Sequence, residues 1–282
     1  MNYKQKNILN GPNKKLQQLI KVVNKNRSVR KPNKDEPLRV GVDLGTSSIV
    51  LTVLDSQNEP LYCAFEYDNA IRDGIIVDFM DSVKILKNLK QQAEQVLERP
   101  LITACGAIPP DVDSGSGSKV VTNVIEAAGF SCRQVVAEPT AAAKFLQIKT
   151  GTVVDIGGGT TGISVFNNNK LVQIIDEPTG GIHMTLVIAG AYQINSDKAE
   201  VIKREHKNED EIFHIIQPVV EKMAIITKNV MKDKIYEPVI IVGGAINFKD
   251  FIPTFSKILG IPAIKPLYPQ FVTPLGIAMC DS

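Results

Sequence analysis

The chain has 282 residues, 44% apolar and 22% charged, the proportions of a globular protein with room for two modest domains. Its net charge of +2 is unevenly spread: residues 1–37 carry ten Lys/Arg against two Asp/Glu, and the remainder 22 against 28. A basic tail on a mildly acidic body excludes general nucleic-acid binding by that body, no apolar run approaches the ~20 residues of a membrane span, and no secretory signal opens the chain.

In chain order, NKKLQQLIKVVNKN places Leu16, Leu19, Ile20 and Val23 on one side of a short amphipathic helix. Two readings stand: a helix packed back on the body, or a docking peptide for a partner protein. Pro32 and Pro37 separate it from the body of the chain. From Leu38 the pattern becomes strand, turn, strand, with IVLTVLD and PLYCAFEYD continuing an antiparallel meander. DSVKILKNLKQQAEQVLERP reads as a helix capped by Asp81, LITACGAIPP as a buried strand, and VVTNVIEAAGF as a second amphipathic helix ended by Gly129. RQVVAEPTAAAKFL is a strand entering a helix, with Pro139 suited to the first turn.

The second half repeats this order. TVVDIGGG, TTGISVF and KLVQIID form three strands, with a hairpin at FNNNKL. GGIHMTLVIAGAYQI, DKAEVIKREH and EIFHIIQPVVEKMAIITKNVMK are helical, the last interrupted or kinked at Pro218. PVIIVGGA is a strand running into a Gly-Gly turn, and INFKDFIPTFSKILG and TPLGIAM are further helices. The chain therefore divides into an extension (1–37) and two lobes (38–150 and 151–282) built on one plan, too long a period for a solenoid. Cys63, Cys105, Cys132 and Cys280 form no Cys-x-x-Cys pair, which points to reduced thiols in a cytoplasm and away from zinc or iron–sulfur clusters. His183, His206 and His214 lack metal-ligand spacing and read as structural or surface residues.

The chemistry concentrates in two turns of like outline, VGVDLGTSS and VVDIGGGTT. Glycine lets backbone N–H groups approach a ligand with no Cβ in the way, and successive N–H groups with flanking hydroxyls make an anion cradle suited to phosphate. An aspartate ahead of such a turn would repel phosphate unless a hydrated Mg²⁺ lay between them. A lone GGGTT could be a flexible hairpin; a matched pair, each opening one half, indicates two turns gripping one polyphosphate with Asp43 and Asp155 on the metal's waters. Neither turn fits a P-loop or a Rossmann fingerprint.

With AEPTAAA (137–143), PVIIVGGA (238–245) and TPLGIAM (273–279), these turns resemble, in order, the two phosphate loops, first connecting helix, adenosine loop and second connecting helix of the actin-like ATPase superfamily. The resemblance spans residues 38–282. It implies an α/β protein of the actin-like (ribonuclease H-like) class, a duplicated two-lobe fold with reduced outer subdomains. It further implies ATP or ADP and Mg as cofactors, with Gly45, Thr46 and Ser47 on one side of the phosphates and Gly157, Gly158, Gly159, Thr160 and Thr161 on the other. Glu138 falls where the superfamily orients the attacking water, so the implied catalytic set is Glu138, Asp43 and Asp155. Gly243, Gly244 and Ala245 would run along the ribose and α-phosphate, and Glu200 and Lys203 would flank the adenosine, although that pair also reads as a solvated helix face.

Departures from the pattern matter equally. Gly162 stands where heat-shock chaperone members have a second aspartate, and the stretch 63–80 is too short for the subdomain that supplies their phosphate-contacting lysine. Nucleotide binding is thus better supported than rapid turnover, and any hydrolysis is expected to be slow. RDGIIVDF (72–79), the compact size and the basic extension are most similar to chaperone-like members from ethanolamine-utilisation operons. That likeness implies a cytoplasmic protein beside a bacterial microcompartment, acting by nucleotide-dependent lobe closure on an enzyme or shell-protein partner, with no nucleic acid and no transmembrane segment. The alternatives are an actin-like scaffold or filament protein, or a small-molecule kinase on the same fold. Deletion of residues 1–37 is expected to leave ATP affinity intact and to abolish partner co-purification.

Overall fold

The computed structural model describes residues 8–67, 71–72, 75–76, 78–109, 116–205, 207–231 and 236–281; His206 and part of RDGIIVDF lie outside these residues. Strands β1 (Arg39–Leu44), β2 (Ser48–Leu54) and β3 (Pro60–Tyr67) form an antiparallel meander, and β4 (Ile71–Arg72) with β5 (Ile75–Ile76) a small separate ladder. Helix α2 (Phe79–Leu97) then crosses over to β6 (Thr103–Ile108), which runs parallel to β1, and α3 (Ser116–Ala127) crosses to a parallel β7 (Ser131–Ala137). The sheet order is β3-β2-β1-β6-β7. Val83, Leu86, Leu89, Ala93 and Leu97 of α2 are buried, as their spacing predicts. The cap, however, is Asp78, whose carboxylate accepts from the Asp81 N–H, so the helix starts two residues before Asp81.

The second sheet repeats the first. Antiparallel β8 (Gly151–Ile156), β9 (Thr161–Asn167) and β10 (Lys170–Glu177) are extended by parallel β11 (Val239–Val242) and β12 (Ala263–Ile264), in the order β10-β9-β8-β11-β12. Asn168 and Asn169, both with positive φ, make the hairpin between β9 and β10. Helices α5 (Gly181–Tyr192), α6 (Ser196–Glu205) and α7 (Glu209–Val230) follow, and α8 (Phe251–Leu259) joins β11 to β12. Helix α7 continues through Pro218.

Between the sheets lie α4 (Glu138–Leu146) and α9 (Val272–Ala278), which cross where Gly276 meets Ala141; a Cβ on Gly276 would sit 3.1 Å from the Ala141 Cα. Each lobe has its own core, and a third, central core joins residues of both sheets to α4 and α9. The N-terminal helix α1 (Asn10–Leu19) belongs to that central core: Leu9, Leu16 and Leu19 are buried with Val50, Leu54, Phe271 and Leu275. Of the two readings of this segment, the structure has the packed helix. Asn13 Oδ1 accepts from Leu267 N at 2.8 Å on the second lobe, while Lys15 donates to Asn58 O at 2.7 Å on the first. Beyond α1, Asn24 N and Val29 N donate to Cys63 O and Leu61 O, covering the outer edge of β3.

Candidate functional site

The two glycine turns fold alike. Gly45 N donates to Ser48 O and Gly157 N to Thr160 O, both at 3.0 Å, so each is a tight link between the first two strands of its sheet. The second turn is held from behind by the start of α5, where Gly181 N and Ile182 N donate to Gly157 O and Gly158 O at 2.9 and 2.8 Å. The turns face one another and touch: a Cβ on Gly158 would lie 3.1 Å from the Ser47 Cβ.

This contact divides the cleft between the lobes into two cavities. The inner, about 140 Å³, is lined by Asp43, Gly45, Thr46, Glu138, Asp155, Gly159, Thr160, Gly243 and Thr273. The outer, about 240 Å³, is lined by Phe65, Tyr67, Glu200, Lys203, Arg204, Ala245 and Phe271. Ser47, Ser48, Val50, Gly157, Gly158, Gly244 and Gln270 line both. Of the residues expected to meet a ligand, Thr161 alone lines neither; it is buried, and its hydroxyl donates to Thr179 O at 2.6 Å, fixing the chain behind the turn.

The inner cavity is strongly acidic. Burial, with the charge of Asp155 alongside, pushes the Asp43 carboxyl up to about 7. Burial likewise raises Glu138 well above the usual carboxylate range, with Asp43, Asp155 and Asp176 adding to it. Asp155 is also raised by burial, less so because Thr273 Oγ1 donates to its Oδ2. Among the described residues none of the three carboxylates forms an ion pair, and no Lys or Arg lines this cavity. Carboxylates crowded together without a cation favour binding one. Among the described residues no three His, Cys, Asp or Glu side chains group tightly enough to clasp a bare ion, so this donor set suits a hydrated Mg²⁺ held through its waters. Gly243, at φ +101°, lets the β11 turn pass close to the backbone of Ile156 and the carboxylate of Asp155; a Cβ there would lie 2.6 Å from the Ile156 carbonyl carbon and 2.7 Å from Asp155 Oδ1.

In the outer cavity Lys203 Nζ donates to Gly181 O (2.8 Å) and Thr185 Oγ1 (2.7 Å) and pairs with Glu200 Oε2 (2.7 Å). Burial opposes ionisation of Glu200, but Lys203, Thr185 and Arg204 together hold its pKa below the usual value. Burial lowers Lys203, partly offset by Glu200. The Glu200–Lys203 pair is therefore built into the cavity wall and is no solvated helix face. Arg204, paired with Glu200, lies 3.8 Å over the Tyr67 ring, a cation–π contact that joins the two lobes across the outer cavity.

Several residues escaped the sequence reading. Thr273 orients Asp155, and Gln270 lies at the junction of the cavities. Asp176, opposite Gly162 in the β9–β10 ladder, places Oδ1 3.6 Å from where a Cβ of residue 162 would be. A carboxylate thus stands beside Gly162 from the neighbouring strand. Arg204 comes directly after Lys203, and that adjacency was the one local signal available.

Two duplicated mixed sheets, a paired-turn cleft and an acidic inner cavity define a protein of the actin-like ATPase superfamily, and comparison with known proteins agrees. Residues 152–276 match the family model of the cell division protein FtsA and residues 65–192 that of MreB/Mbl protein. The chain belongs to the EutJ family of ethanolamine utilization proteins. It is 36% identical over 247 residues to ethanolamine utilization protein EutJ of Escherichia coli (strain K12), covering 86% of each chain. The crystal structure of EutJ from Carboxydothermus hydrogenoformans superposes with a TM-score of 0.89 at 40% identity, covering 95% of this chain and 97% of that one. MreB 5 of Spiroplasma citri bound to AMPPNP shares the fold, with a TM-score of 0.69 at 15% identity over 88% of this chain and 96% of that one.

Proposed function

We propose that the chain binds Mg-ATP or Mg-ADP in this cleft, hydrolyses ATP slowly, and passes the state of the cleft to a protein partner in ethanolamine utilisation. The observation that carries the reading is the pair of matched turns meeting between an acidic cavity and a partly apolar one. Neither cavity alone reaches the ~300 Å³ at the lower end of ligand pockets, whereas a nucleotide spanning both would use the whole cleft. The Ser47–Gly158 contact must then open as ligand enters, and a change at the turns reaches both lobes.

In this reading Gly45, Thr46 and Ser47 face Gly157 to Thr160 across the phosphates. Asp43 and Asp155 hold the waters of Mg²⁺, which when bound supplies the positive charge this cavity lacks. Glu138, whose carboxyl burial and the neighbouring aspartates raise above its ordinary range, would orient the water for attack. The absence of Lys and Arg from the described residues of the inner wall supports slow turnover. Glu200, Lys203, Gly243, Gly244 and Ala245 frame the nucleoside. The partner would be a microcompartment enzyme or shell protein, met in the cytoplasm, and family membership supports that setting. No helix among the described residues is long and apolar enough to cross a membrane.

Titration calorimetry with ATP, ADP and GTP, with and without Mg²⁺, tests the binding. Magnesium-dependent heat with the adenine nucleotides is expected; no heat with any nucleotide would remove the reading. Phosphate release with and without ethanolamine-utilisation enzymes tests turnover and partner in one assay.

A further inference from the structure

Gln270 sits in the single helical turn Pro269–Phe271 that leads into α9, and its backbone is fixed on both sides. Gly243 N donates to Pro269 O at 3.2 Å, tying the turn to the end of β11, and Phe271 is anchored in the central core. From this mount the side chain lines both cavities, beside Gly244. Its Oε1 is buried, and among the described residues it has no hydrogen-bond partner. A buried acceptor left unpaired is a cost that native proteins seldom carry without a reason. Here the acceptor lines a cleft, so a ligand can supply its donor.

The donor can be narrowed by chemistry. With the base in the partly apolar outer cavity and the phosphates between the two turns, the sugar falls beside Gly244, where Gln270 lies. Phosphate and phosphoester oxygens only accept; a ribose hydroxyl donates. We propose that Gln270 reads the sugar: its amide oxygen accepts from a ribose hydroxyl, and the cleft thereby selects ribonucleotides over deoxyribonucleotides. The assignment rests on the nucleotide reading above and adds a specificity residue to it.

Calorimetry with Mg-ATP, Mg-2′-deoxy-ATP and Mg-3′-deoxy-ATP on the wild type and Gln270→Leu tests it. In the wild type one deoxy analogue should bind roughly twofold to twelvefold more weakly than ATP, the worth of one neutral hydrogen bond. In Gln270→Leu, ATP should weaken by that factor while the analogue does not, so that discrimination disappears. The unliganded variant should melt no lower than wild type, because what it loses is an acceptor with no hydrogen-bond partner among the described residues; a residue with only a structural role would melt lower. Should the Leu variant not fold, Gln270→Glu keeps the acceptor and must keep the discrimination, whatever its overall affinity. Equal affinity of the wild type for all three nucleotides overturns this assignment alone. Absence of ATP binding overturns the nucleotide reading and this assignment with it.

Discussion

Ser47 of the first turn rests its side chain against the Cα of Gly158 in the second, so closely that a methyl group at 158 would lie 3.1 Å from the Ser47 Cβ and nearer still to its hydroxyl. The backbone at 158 is not among the positive-φ positions, so alanine there tests space alone. Gly158→Ala should lower stability by about 1–3 kcal/mol through overpacking, and Mg-ATP affinity should fall about tenfold or more as the turns lose their spacing. Adding Ser47→Gly should return most of the stability without returning the affinity, because the turn then lacks its hydroxyl. Urea unfolding and calorimetry on the two single variants and the double variant measure the coupling; independent, additive effects would show that the turns do not meet.

The acidic cavity separates two roles among its carboxylates. Asp155 is oriented by Thr273 and lies beside Asp43, whereas Glu138 opens α4. Asp155→Ala should leave the fold intact, because the cavity loses one of several mutually repelling groups, and should weaken Mg-dependent nucleotide binding by about 100-fold (~2.7 kcal/mol). Glu138→Ala should bind Mg-ATP as wild type does yet release no phosphate. Equal turnover in the Glu138 variant would show that the water is oriented elsewhere.

How far the sequence disclosed this site depended on whether the information was local. The turns were legible because glycine, aspartate and threonine punctuate both in the same order, and the sheets because alternation and crossover helices recur in register. Contacts made across the chain were not. Thr273 meets Asp155 across 118 positions, and Asp176 reaches the space beside Gly162 only through the pairing of β10 with β9. The apolar stripe of α1 showed that one face would be covered, but nothing in it named Phe271 or Leu54 as the cover. The cap expected at Asp81 falls instead to Asp78, because the helix starts at Phe79.

The seating of α1 changes what truncation should do. Leu16 and Leu19 are fully buried in the core that also holds Phe271, and Phe271 lines the outer cavity. Removing residues 1–37 would strip that core and uncover the edge of β3, so loss of stability and of nucleotide affinity together is expected, in place of the intact affinity that a free tail would leave. The milder test is Leu16→Ala, which should cost about 2–5 kcal/mol, against Lys14→Ala on the exposed face, which should stay within about 0.5 kcal/mol. Urea midpoints of the two variants decide it; a Leu16 variant as stable as the Lys14 one would mean that the helix is not seated in the core.

The same extension carries a pH-dependent clasp. Arg30 bridges Glu36 and Asp55, with Nη2 2.5 Å from Glu36 Oε1 and 2.6 Å from Asp55 Oδ2. The hydrogen bond from Arg30 holds the Glu36 carboxyl at about 2, below its ordinary 4.5. A carboxyl depressed by folding contributes its stability in full above the ordinary value and loses it as pH falls through the folded one. The contribution should therefore be complete above about pH 5 and nearly gone at about pH 2. Arg30 is 42% exposed, so solvent screening keeps the effect modest. Glu36→Gln should melt below wild type at pH 7, and the gap should narrow steadily between pH 5 and pH 3. Thermal melts of both proteins across that range give the answer, and a gap constant with pH would mean that the clasp acts by packing and owes nothing to the Glu36 charge.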